Sequence, residues 1–232
     1  MGKQSKGRCL YCQAEYTKAG MLRHTVACKE RVKEMEKVAG VKQCGYFTLS
    51  ITGKYDRDYW LIVEFRENAM LQDVDQFLRD IWLECCGHLS AFDIGGELYE
   101  RFVDNSGFWD EPSKSMNHQL KSVLEKGMNI SYEYDFGSTT GLLISVSDFR
   151  VGPWKKDKFT LLARNNPINY LCSNCGEKVA IAICPICLYD GTGFLCRDCE
   201  DNHECGEEVM LTICNSPRSG VCAYEGSDIY GD

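Results

Sequence analysis

The sequence predicts an α+β fold, on three observations. Strand-like alternation and helix-like spacing both occur in its aromatic middle. The strands there do not alternate strictly with helices. The two ends are Cys-rich and differ enough in composition from the middle to read as small modules flanking a central mixed domain. The zones run 1–42, 46–170 and 171–232.

In the middle zone, Phe47, Leu49 and Ile51 alternate with Thr48, Ser50 and Thr52, the pattern of a half-buried strand. Residues 59–65 follow as a more apolar strand. Asn68 is a candidate cap for a helix whose apolar stripe is Leu71, Val74, Leu78 and Ile81, with Phe77 and Trp82 beside it. Leu120, Val123 and Leu124 suggest a second helix stopped by Gly127. Ile130, Tyr132, Tyr134 and Phe136 then alternate with Ser131, Glu133 and Asp135. Residues 137–141 are turn-like, and 142–149 return as another strand.

The segment Tyr132-Glu133-Tyr134-Asp135-Phe136-Gly137 resembles the Tyr-x-Tyr-Asp-Phe-Gly signature of the plasmid pRiA Orf-three-like domain, also called the insertion-element passenger or TnpR-like family. Trp82 followed by His88-Leu89-Ser90-Ala91-Phe92 is similar to that family's upstream element. The resemblance spans residues 46–159. It implies a compact α+β domain, common on mobile elements in bacteria and archaea, with no established activity. The family continues Asp-x-Trp-x-His after Asp-Phe-Gly, whereas this chain has Ser138, Thr140 and Leu142 at those positions. Chemistry depending on that Asp or His is therefore not expected.

The chain has 232 residues, 15 of them cysteine. Its basic start, Met1 to Arg8, leads into no apolar signal core, and no apolar run reaches membrane-span length. A cytoplasmic protein is expected, with no membrane partner. In that compartment, cysteines in Cys-x-x-Cys pairs point to metal rather than to disulfides, and an odd count suits a disulfide framework poorly. The net charge of −8 is unevenly spread. Residues 1–42 hold ten Lys and Arg against four Asp and Glu; residues 172–232 hold three against eleven.

Toward the C-terminus, Cys172-x-x-Cys175, Cys184-x-x-Cys187 and Cys196-x-x-Cys199 recur with a period of twelve, and His203-x-Cys205 follows. A tight knuckle turns both sulfurs of each pair inward, and a tetrahedral zinc ion takes two such pairs. Interleaved pairing joins Cys172, Cys175, Cys196 and Cys199 around one ion, and Cys184, Cys187, His203 and Cys205 around another. Cys214 and Cys222 are spare thiols that could replace a ligand. An iron–sulfur cluster or a redox thiol pair is the alternative; His203 and the regular repetition favour zinc. Near the start, Cys9-x-x-Cys12 and His24-x-x-x-Cys28 form a Cys-Cys-His-Cys finger pattern, with Tyr16 and Leu22 as its expected miniature core. Eleven residues separate Cys12 from His24. DNA-reading fingers usually leave about twelve, and the shorter spacing is more like small protein-binding fingers. Residues 29–38 are expected to continue its helix. About three zinc ions are thus expected, those of the C-terminal module in closed, structural sites.

Other residues carry weaker signals. Cys85-Cys86 and Cys44 read as small buried hydrophobes, and His88 and His118 as packed residues outside any ligand pattern. Asp93, Glu97, Asp135 and Asp148 would make an acidic site only if the strands gather them. The leading expectation is a zinc-containing binding or adaptor protein with a protein partner and no catalysis. One alternative is a nucleic-acid-binding regulator using Lys3, Lys6, Arg8, Lys18 and Arg23. The other is an enzyme built on the acidic residues.

Overall fold

The computed structural model describes residues 4–37, 42–102 and 113–230. The chain divides into two compact units, Met1–Phe77 with Leu89–Asn166, and Leu78–His88 with Pro167–Asp232.

The first unit is built on a ten-stranded mixed sheet. In chain order its strands are β1 (Lys6–Cys9), β2 (Glu15–Thr17), β3 (Gln43–Gly53), β4 (Trp60–Arg66), β5 (Ser90–Ile94), β6 (Glu97–Glu100), β7 (Lys114–Ser115), β8 (Asn129–Tyr134), β9 (Thr140–Pro153) and β10 (Phe159–Asn165). They lie in the order β2-β1-β10-β4-β3-β9-β8-β5-β6-β7, and among the described residues only β6 and β7 pair in parallel. Strands mixed with helices make the protein α+β. Among the described residues, the same part of the chain holds the helices α1 (Lys18–Ala27), α2 (Lys29–Glu36), α3 (Leu71–Leu78) and α4 (Leu120–Val123).

Composition marks three zones, but the first does not stand apart from the second. β1 pairs with β10 through Gly7↔Asn165, Arg8↔Arg164 and Cys9↔Ala163. The strands approach closely because Gly7 has no side chain. A Cβ there would lie 2.2 Å from the Arg164 carbonyl and 2.5 Å from the Trp60 ring. Met21 of α1 is buried with Trp60, Ile62, Leu162 and Ala163. The finger therefore shares its core with the sheet. The expected miniature core is different: Tyr16 is exposed and stacks on His24, while Leu22 packs at the edge of this cluster.

β3 is covered along nearly its whole length. Alternation predicts it half-buried, yet every residue from Cys44 to Gly53 is buried. Its apolar face carries Phe47, whose neighbour Phe65 meets Phe77 of α3 edge-on at 5.6 Å. Its hydroxyl face is covered by polar groups from the N-terminal helices. Lys18 donates to Thr52 Oγ1 at 2.8 Å, and Arg31 pairs with Glu64, the cross-strand neighbour of Thr48. Small hydroxyls there leave room for charged side chains that would clash with larger residues.

Helix starts and stops differ from the expected ones for local reasons. Asn68 lies in a turn rather than capping α3, and Asp73 accepts the Met70 N–H at 2.8 Å. The buried Asp75 then ties α3 to the sheet, accepting from Ser90 Oγ at 2.6 Å and from the Tyr132 hydroxyl at 2.7 Å. α4 is one turn long. Gly127 and Val146 exchange strand-like bonds with this segment, Gly127 N–H to Val146 O and Val146 N–H to Met128 O, and these draw the chain toward β9. After β8, Asp135 is left-handed with φ 64° and accepts the N–H groups of Gly137 and Ser138. That turn throws Phe136 out of the alternation, and it is 49% exposed.

The second unit has a three-stranded sheet in the order β12-β11-β13, from β11 (Ala182–Ile183), β12 (Phe194–Leu195) and β13 (Leu211–Thr212). Two one-turn helices, α5 (Pro185–Leu188) and α6 (Arg197–Glu200), complete this part. A π-helical turn, Arg79–Leu83, also belongs to this unit. Its Trp82 indole donates to the Asn215 carbonyl at 3.0 Å, and Ser216 Oγ donates to the Trp82 carbonyl at 2.6 Å.

Glu64 is the most committed charge in the first unit. It is 1% exposed and receives Arg150 through Nε at 2.6 Å and Nη2 at 2.7 Å, together with Arg31 of α2. Burial alone would raise its pKa, but the bonds from Arg150 and the field of Arg31 hold it below the ordinary carboxylate value. Replacing one member of a buried pair typically costs about 3–5 kcal/mol, and Glu64→Gln is expected to lose that much in denaturant unfolding. A depressed folded-state pKa gives stability that is full above the unfolded value of 4.5 and fades as pH falls through the folded one. The gap between wild type and Glu64→Gln therefore narrows in acid; a gap that stays constant from pH 7 to pH 3 contradicts this account.

Candidate metal centres

The N-terminal centre starts at the end of β1. Cys9 closes the strand, and the chain turns back through Gln13, whose φ is 61° and whose N–H reaches the Cys9 carbonyl at 2.9 Å. This knuckle brings Cys12 beside Cys9. His24 sits in the last turn of α1. Cys28 does not continue that helix: with ψ 114° it ends α1 and caps α2. The expected single helical extension is thus two helices with a ligand at their junction. Sγ of Cys9 lies 3.9 Å from Sγ of Cys28, and Sγ of Cys12 lies 3.2 Å from Nε2 of His24. Burial pushes the Cys28 thiol up, but the Arg31 N–H, the Cys12 and Cys9 thiols and the Glu30 N–H together outweigh it and leave the thiol below its ordinary value.

The second unit carries the two centres of the C-terminal motifs. Cys172, Cys175, Cys196 and Cys199 gather with their sulfurs within 4.8 Å of one another, as do the ligand atoms of Cys184, Cys187, His203 and Cys205. These are the quartets obtained by joining alternate pairs. The Cys172 knuckle is closed by the left-handed Gly176, whose N–H reaches the Cys172 carbonyl at 2.9 Å. Cys184 and Cys187 flank the start of α5, and Cys196 and Cys199 the start of α6. Representative separations are 3.9 Å for Cys175–Cys196, 3.7 Å for Cys187–Cys205 and 3.4 Å for Cys187 to His203 Nε2.

These distances fit zinc. Tetrahedral bonds to sulfur and nitrogen place two sulfurs about 3.8 Å apart and a sulfur and a nitrogen about 3.5 Å apart. Each quartet supplies four soft or borderline donors, and these complete the tetrahedron without an open position. The thiols are also polarised for metal. Burial raises Cys172, but the N–H groups of Cys175, Cys196 and Asn174 bring it down to about 6. Cys184 is likewise raised by burial and lowered, by Cys187 N–H and then His203, to about 7. Their neighbours move the other way: Cys187, bonded to the Cys205 sulfur, is pushed up to about 12, and burial pushes Cys199 up to about 12. Cys172 and Cys184 thus give up a proton readily, whereas Cys187 and Cys199 do so only when a cation sits among the sulfurs.

A fourth quartet lies outside the motifs of the sequence: Cys85, Cys86, His88 and Cys222. Cys86 is exposed rather than a buried small hydrophobe, and His88 faces two thiols rather than packing in a core. The adjacent thiols with a histidine two residues on were the available signal. The remaining spare thiol, Cys214, is buried and donates to the Thr212 carbonyl. Cys44 is buried as expected.

The other candidates are dispersed. Asp135 holds its turn, Asp148 pairs with Lys126, Glu97 pairs with Lys114, and Asp93 accepts the Gly96 N–H. Asp93 also borders an open groove of about 500 Å³ over β3, β8 and β9, with Lys18, Arg57 and several hydroxyls. His118 bonds the Ser115 carbonyl. Among the basic candidates, Arg8 pairs with Glu15 and Lys18 turns to Thr52, while Lys6 and Arg23 are exposed; Lys3 lies outside the described residues.

No protein family matches the chain, and no curated protein does. The solved structure of MM3350, a protein of unknown function from Methanosarcina mazei Go1, is similar over 52% of this chain and 68% of that one. The identity is 18% and the TM-score 0.41. No described helix is long and apolar enough to cross a membrane.

Loading zinc at pH 7 is expected to release protons, chiefly from thiols held high such as Cys187 and Cys199, and acid is expected to expel the metal. A weakly buffered titration with a pH indicator reads this directly. Zinc uptake without proton release would mean that these sulfurs are not the ligands.

Proposed function

We propose that the protein is a zinc-stabilised binding or adaptor protein of the mobile-element-associated Orf-three-like class, acting on a protein partner and carrying out no catalysis. The observation that carries this reading is the closure of the three motif-derived quartets. Each has four Cys or His donors and no position left for substrate or activated water. Ions held this way shape surfaces.

The second unit offers such a surface. Tyr189 is 88% exposed, and Ile186, Val179 and Leu171 are also exposed in a segment carrying eleven acidic residues. Apolar anchors rimmed by charge suit a protein partner with apolar and basic contacts. The nucleic-acid reading rests on the ten basic residues of 1–42, but four of them already pair with glutamate: Arg8 with Glu15, Arg31 with Glu64, Lys33 with Glu30 and Lys37 with Glu34.

The test is photo-crosslinking from Tyr189 in the full, zinc-loaded chain, beside DNA and RNA binding across a salt series. The expected result is a saturable protein adduct that disappears on chelation, with weak nucleic-acid binding. Tight nucleic-acid binding that falls steeply with salt, and is lost in a Lys6→Gln, Arg23→Gln variant, would replace this reading with the nucleic-acid one.

A further inference from the structure

We propose that Cys85, Cys86, His88 and Cys222 form a fourth zinc site, the most accessible of the four, which clasps the C-terminal segment to the loop after the π-helical turn. The four ligand atoms lie within 4.8 Å of one another. Sγ of Cys86 is 3.6 Å from Sγ of Cys85 and 3.7 Å from Sγ of Cys222, and Nε2 of His88 is 3.4 Å from Sγ of Cys222. These are the edges of a zinc tetrahedron, about 3.8 Å between sulfurs and about 3.5 Å from sulfur to nitrogen. The Cys86–His88 edge, at 2.9 Å, is shorter, and an entering ion would push it open.

The approach of Cys222 to ligands more than 130 positions away is not a chance meeting of surface chains. It is enforced by buried bonds on both sides. Trp82, three residues before Cys85, holds the Asn215 carbonyl and is held by Ser216 Oγ. Arg218 is 0% exposed, and its guanidinium donates to Cys85 Sγ at 3.4 Å. Ser227 Oγ donates to the Asp80 carbonyl beyond the ligand. Gly87, with φ 76°, turns the chain between Cys86 and His88.

Charge completes the case. Three thiolates, a neutral imidazole and Zn²⁺ sum to −1. Arg218 supplies a cation against one of those sulfurs, a bond that orients the ligand as well as neutralising it. The site differs from the others in one respect. Each of the other three quartets contains at least one fully buried cysteine, and this one has none; Cys86 and Cys222 are both exposed. A chelator or oxidant therefore reaches these sulfurs first. The inference does not depend on what the protein binds.

Native mass spectrometry of the full chain, purified under reductant with zinc, tests the proposal. Four ions per chain are expected, and three in Cys222→Ser and in Cys86→Ser. His88→Cys, which keeps four donors, should retain four ions, so that loss of the ion can be told apart from misfolding. In wild type, one ion should pass to a competing chelator before the other three. Three ions in wild type at saturating zinc, or four retained in both serine variants, would overturn the site. So would a Cys86–Cys222 disulfide that persists under reductant.

Discussion

Sulfur atoms packed 3.7–3.9 Å apart cannot all carry charge unless a cation sits among them. In the second unit this constraint reaches beyond the ligands, because ligands make up one of its buried clusters. Cys172, Cys184, Leu195 and Cys196 form that cluster, with Cys187, Cys199 and Cys205 packed against it. Its strands β11, β12 and β13 are two residues long and its helices α5 and α6 four. Elements this short do not hold themselves together. An ion held by these quartets would tie the short elements together, and the backbone amides that lower Cys172 and Cys184 favour the thiolates it needs.

The first unit solves the same problem differently. Its N-terminal centre could lean on its own ion, but it also leans on a sheet. β1 extends the sheet beside β10, Met21 enters the core, and Arg31 meets Glu64 beneath α2. Here an ion would shape one corner of a body that already has a large apolar interior.

What could be read from sequence follows how local each signal is. Cys pairs recurring every twelve residues disclose their partners because the repeat itself fixes the spacing. The strands around Leu49, Val63 and Ile144 were legible for the same reason: their periodicity is contained in a few residues. The centre at Cys85 was not, because its last ligand, Cys222, is brought in by Trp82, Asn215 and Arg218, a buried lattice with no periodic trace. The full burial of β3 was hidden too, since Thr48, Ser50 and Thr52 look like solvent-facing residues until Lys18 and Arg31 are placed above them. Gly127 marked a real turn, but the helix expected before it yielded to hydrogen bonds with β9, a contact set by tertiary structure.

The position of Cys28 has a bearing on how such a protein can change over time. The residue ends one helix and begins the next, so the finger is joined to α2 at a ligand, and α2 is joined to the sheet at Arg31. Among the described residues the finger's ligands run straight into the neighbouring fold: Cys9 ends β1, and Cys28 begins α2. Exchanging residues 1–42 for another finger would remove β1 from the edge of β10 and leave Glu64 without one of its two arginines. The residues that the segment shows to solvent are free to vary, whereas Gly7, Met21 and Arg31 are tied to the sheet that it completes.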